Sequence, residues 1–224
     1  MRGQFGDFET LLGIRREGVI FYSIASLLAY LGQTQKKGIE RLKTVDLYSG
    51  SQYMQLSPIT RANLELTETM RGREKKGTLL WVLDKTETAM GKRLIRSWIE
   101  QPLLDPGAIN ERLDGVEELA KKNVLRSDLR EQLGRVFDLE RLMTRVIYGS
   151  ATPRELLSMA ATCSRLPELI ELLENCESNM LQGIQSGIDP LQDVRELIEK
   201  AINEEAPSTL KEGGVIRTGY NPEV

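Results

Sequence analysis

The stretch TETAMGKRLIRSWIEQP, Thr86 to Pro102, decides the fold, because it can be read as a phosphate loop, a nucleic-acid grip or a packed helix. A phosphate loop needs glycine, four residues, then Gly-Lys and a hydroxyl, so that backbone N–H groups wrap the phosphate. Here Thr86 occupies the first glycine position and Arg93 stands where the hydroxyl belongs. Gly72 and Gly77 have the correct separation, but Thr78 replaces the lysine. Neither is a phosphate loop. As a helix, the stretch places Met90, Leu94, Ile95, Trp98 and Ile99 on one face, with Lys92, Arg93, Arg96 and Glu100 mostly on the other. Thr86 or Thr88 caps it, Gly91 lets another backbone approach, and Pro102 ends it. The reading is a short, sharply bounded, heavily packed helix over 88–101, with Trp98 as its large buried contact.

Working outward, three further helix starts are marked by an N-cap residue before proline: Asp105-Pro106, Thr152-Pro153 and Asp189-Pro190. Glu155 completes a capping box with Thr152. Apolar residues at three- and four-residue spacing predict helices over 106–121, 124–134, 138–148, 153–175 and 190–204, with Pro167 kinking or splitting the longest. A helix is also predicted over 19–37, and one or two short strands or extended pieces over 45–57. The fold class is mainly α: a helical bundle with a small non-helical N-terminal part.

The chain has 224 residues, 40% of them apolar and 5% aromatic, with a net charge of −3. A self-sufficient, strongly basic DNA-binding module does not have this balance. No histidine occurs, which removes histidine-based triads, bases and metal sites. Cys163 and Cys176 are too far apart for a bridge within one helix and read as reduced core thiols. With no signal peptide or membrane span in view, the expected location is cytoplasmic. The pairs Glu117-Glu118 and Glu204-Glu205 read as exposed helix faces. No activated nucleophile is evident, so no catalysis, cofactor or metal is assigned to this chain.

Between Arg71 and Arg96, eight basic and three acidic residues leave a local charge of +5. Arg71, Arg73, Lys75 and Lys76 are candidates for weak phosphate contacts, although no aromatic is interleaved to stack on bases.

The segment Asn63 to Asp105 resembles the core-domain signature of the MutS family of DNA mismatch repair proteins. The matching features are Asn63-Leu64-Glu65-Leu66, Thr78-Leu79-Leu80, Leu83-Asp84, Thr88-x-Met90-Gly91-x-Arg93-Leu94, Trp98 and Gln101-Pro102-Leu103. The stretches 109–119, 137–146, 151–159 and 213–224 continue the resemblance in order. It implies that residues 1–43 are the end of a connector domain and 44–224 the first segment of a core, or lever, domain, cut before the clamp. The parent family dimerises, binds mismatched double-stranded DNA, and hydrolyses ATP with magnesium in a domain not contained in this sequence. The expected role is a lever coupling nucleotide state to DNA binding, with Thr88, Met90, Gly91, Arg93, Leu94, Trp98 and Pro102 as its coupling junction. Its partners would be the clamp and ATPase domains, and a bare apolar surface would favour self-association. Two alternatives stay open: a self-contained helical interaction module, or a weak sequence-independent DNA-binding domain.

Overall fold

A computed structural model of the chain describes residues 18–34, 42, 52–208 and 212–221. The chain divides into two compact units, residues 1–50 and 51–224. In the first, the described helix is α1, Val19–Thr34, which has no buried residue. The rest of the predicted 19–37 helix, the extended piece as far as Ser51 and most of the N-terminal part lie outside the described residues.

In the second unit the helices are α2 (Pro58–Asn63), α3 (Leu79–Leu83), α4 (Ala89–Glu100), α5 (Pro106–Lys121), α6 (Asn123–Leu133), α7 (Leu139–Ile147), α8 (Pro153–Cys163), α9 (Leu166–Leu173), α10 (Asn179–Gly187) and α11 (Gln192–Ala201). The mainly α expectation holds. Among the described residues, β structure is limited to two antiparallel bridges, Tyr53 with Leu103 and Ile202 with Ile216. On its Met54 side the first cannot extend, for a covalent reason. Met54 N–H donates to Pro102 O at 2.8 Å, but Pro102 has no N–H to return the bond.

Caps fix several boundaries. Asp105 accepts from Ala108 N–H, and Thr152 with Glu155 forms the predicted capping box. Pro167 splits the predicted 153–175 helix into α8 and α9. It then sits in the first turn of α9, where its missing N–H costs nothing. Asp189-Pro190 does not start a helix. The Asp189 carboxylate accepts from Leu191 N–H, Leu191 adopts φ +49°, and α11 begins at Gln192 without a side-chain cap.

Two apolar clusters hold the unit. One joins α7, α8 and α11 through Leu142, Met159, Ala160, Cys163 and Ile198. The other joins α6, α9 and α10 through Leu129, Leu169, Leu173, Cys176 and Leu181. Both cysteines are free, buried thiols, one in each cluster, and burial pushes both pKa values up. The 213–217 strip also closes onto the first cluster: Asn203 N–H donates to Val215 O, and Arg217 N–H to Ala201 O, each at 2.9 Å.

Candidate functional site

The α4 junction is built from a polar frame on one side and an ion-pair clamp on the other. Thr78 is fully buried, caps α3 by accepting from Trp81 N–H, and donates its hydroxyl to Lys75 O at 2.7 Å. At the far end of α3, the Asp84 carboxylate accepts from Lys75 Nζ and from Thr86 Oγ1, each at 2.7 Å. Its side chain is only 6% exposed. The Lys75 ammonium, then the Thr86 hydroxyl, hold its pKa down to about 2.

That frame places Thr86 and Thr88 against Gly91. Of the two candidate caps, Thr88 is the one used: it accepts from Gly91 N–H at 2.9 Å. A Cβ on Gly91 would lie 3.0 Å from Thr88 Oγ1 and 3.3 Å from Thr86 Cβ. The glycine therefore makes room for its own capping loop, not for a second backbone as the sequence suggested.

Helix α4 has the expected bounds but not the expected packing. No residue on it is buried; Leu94 is 52% exposed, and Met90, Ile95, Trp98 and Ile99 are only partly covered. Polar links join it to the bundle. The Arg93 guanidinium donates through both Nη atoms to Asp138, at 3.0 and 2.7 Å, and through Nε to Glu140 at 2.8 Å. These carboxylates, Asp138 first, raise the arginine's pKa, and Arg93 lowers that of Asp138. Asp138 is also the N-cap of α7, accepting from Arg141 N–H. Arg130 of α6 pairs with Glu87, and the Arg112 guanidinium of α5 lies 3.8 Å from the centre of the Trp98 ring. Trp98 is thus a cation platform rather than a buried anchor. Pro102 closes the site through the hydrogen bond its carbonyl accepts from Met54 N–H.

The predicted phosphate contacts separate. Lys75 is engaged by Asp84. Arg73 lies on a turn with Gly72 at φ +86° and Arg73 at φ +52°, closed by Thr69 N–H donating to Glu74 O. Arg71 is exposed on the same turn, and Lys76 is exposed on the turn that follows it. Within the basic 71–96 stretch, Arg93 and Arg96 are answered by Asp138, Glu140 and Glu100, which lie outside it and offset part of the +5.

One acidic residue was misread. Glu118 is not exposed: its side chain is 9% exposed. It accepts from Glu177 N–H, Ser178 N–H and Lys122 Nζ, each at 2.8 Å. The bond from Lys122 contributes most to holding its pKa at about 2. Glu118 thereby anchors the backbone leading into α10, whose N-cap residue Ser178 makes no side-chain cap, and places a carboxylate at the positive end of that helix. Its sequence signal was limited to the i, i+4 partner Lys122. The contact to α10 requires the fold.

Among the described residues, no helix is long and apolar enough to cross a membrane, and no group of acidic or cysteine side chains is arranged to hold a metal ion.

The family model for MutS domain III matches residues 59–221. The chain is 46% identical, over 98% of its length, to a protein from Alkaliphilus metalliredigens named DNA mismatch repair protein MutS, and covers 24% of that protein. Proteins of the same name from Ruminiclostridium cellulolyticum and Caldanaerobacter subterraneus subsp. tengcongensis are 46% and 41% identical, over 95% and 97% of this chain. The chain spans about a quarter of the length of these relatives.

Proposed function

The chain belongs to the MutS domain III family, and from that premise we propose that it acts within a longer mismatch-repair protein as a structural lever. The lever couples ATP binding and hydrolysis, performed elsewhere, to engagement of mismatched double-stranded DNA. In this reading residues 1–43 end a connector domain, and 44–224 begin the core. The parent's clamp and ATPase domains, its second subunit and its cytoplasmic location belong to the same proposal.

The observation that carries it is the Arg93 fork. A planar guanidinium bonded to both oxygens of Asp138 fixes direction as well as distance, so α4 and the capped start of α7 are tied as one piece. A tie of this kind passes rotation from one helix to another, whereas the exposed apolar face of α4 alone would slip. Within this junction Thr88 and Gly91 set the start of α4, Met90 and Leu94 offer an apolar face, and Trp98 receives Arg112.

The test is made in a full-length MutS carrying this segment. Arg93→Lys keeps the charge but loses the fork, and Trp98→Ala removes the platform. Both are expected to loosen ATP-dependent release from mismatched DNA while leaving steady-state ATP affinity near wild type. Unchanged release kinetics in both variants would remove the coupling role.

The half-exposed apolar side chains of Trp81, Val82, Leu113 and Val116 favour coverage by other parts of a longer protein over a self-contained interaction module.

A further inference from the structure

We infer that the cleft between the 69–76 turn and the first two turns of α4 is an anion site that takes a phosphate group, with Arg73 and Lys92 as its binding residues. This goes beyond the lever reading and does not depend on it. The cleft has a volume of about 340 Å³, and its charged wall is Glu68, Arg73, Lys75, Lys92, Arg93 and Arg96 together with Asp84. Five cations and two carboxylates line it, but three of the cations are answered by carboxylates, so the charge open to a ligand is that of Arg73 and Lys92 against Glu68.

The cations fall into two kinds. Lys75 is held by Asp84, Arg93 by Asp138 and Glu140, and Arg96 by Glu100. These three are fixed in position and shape the wall, their charge being met by their partners. Among the described residues, no carboxylate pairs with Arg73 or Lys92, so their donors are open to a ligand. Arg73 sits on an ordered turn: Thr69 accepts from Glu74 N–H with its side chain and donates its hydroxyl to Arg71 O.

The ligand class follows from the donors. A guanidinium fork matches two phosphate oxygens, and a lysine adds a point charge. The lining holds no aromatic residue, so charge is recognised and a base is not. Arg71 and Lys76, though basic and adjacent, do not line the cleft.

Inorganic pyrophosphate is the probe, titrated calorimetrically into the chain at low salt. Arg73→Asn/Lys92→Ala, with asparagine chosen to tolerate the positive φ, is expected to weaken binding about tenfold or more. Lys121→Ala/Lys200→Ala removes the same charge elsewhere and is expected to bind as wild type. Glu68→Gln takes a carboxylate out of the wall and is expected to tighten binding, a gain that misfolding does not produce. A competing DNA duplex distinguishes two sources of the same chemistry. Displacement of pyrophosphate, with a log K against log salt slope shallower by about 2 in the double variant, assigns the site to backbone phosphates. Retained pyrophosphate without displacement assigns it to a free polyphosphate. The proposal is overturned if wild type binds no pyrophosphate, if the cleft variant binds as well as wild type, or if both double variants lose equally.

Discussion

Glu118→Gln tests whether α10 is held by its neighbour rather than by its own sequence. The wild-type carboxylate accepts three hydrogen bonds at 2.8 Å, two from backbone N–H groups at the α10 start and one from Lys122. Glutamine keeps the shape but offers one acceptor oxygen, leaves an N–H at the α10 start unmatched, and removes the charge facing Lys122. The pKa falls from the ordinary 4.5 to about 2. At 1.36 kcal/mol per unit, that corresponds to about 3 kcal/mol of pH-dependent stability as an upper bound. Water at the rim of the site reduces the realised amount to about 1–2 kcal/mol. The sign follows from the depressed pKa: the contribution is fully present above pH 4.5 and is lost as pH falls toward 2. Urea unfolding of wild type and variant, run in parallel at pH 7 and pH 3, should therefore give a stability difference that shrinks on acidification. A difference independent of pH, or none at pH 7, would refute the carboxylate's role as the anchor of the α10 start.

Gly91→Ala is expected to destabilise the chain by about 0.5–1 kcal/mol, measured by thermal melting. The Cβ would press on Thr88 Oγ1 and Thr86 and weaken the cap, together costing more than the helix-propensity gain of about 1 kcal/mol. If melting rises instead, the threonines yield freely and the frame is soft. Thr152→Ala breaks the capping box of α8 and should cost about 1–2 kcal/mol in urea titration, because α8 packs directly into the first core cluster. The isolated chain should bind an apolar dye and associate with increasing concentration in sedimentation, through exposed side chains such as Leu113 and Val116. A monomer silent to dye would instead support the self-contained module.

What the sequence determined by itself was local. Threonine and aspartate ahead of proline announced α5 and α8, and Pro167 announced the break between α8 and α9, because caps and proline act within four residues of where they stand. The bounds of α4 were legible for the same reason, as was the resemblance carried by its motif. Helix α10 was not: NMLQGIQSG has two glycines and no side-chain cap, so nothing within it argues for a helix. It is held from outside: Glu118, about sixty residues earlier in the chain, ties down the N–H groups of Glu177 and Ser178 that lead into it, while Leu181 is buried in the second cluster. The tertiary structure also decided which charges are free. Arg93 and Lys92 are neighbours with similar propensities, yet one is locked to α7 and the other opens onto a cleft. Ion pairing depends on distance through space, and a linear pattern records that distance only for residues a turn or two apart.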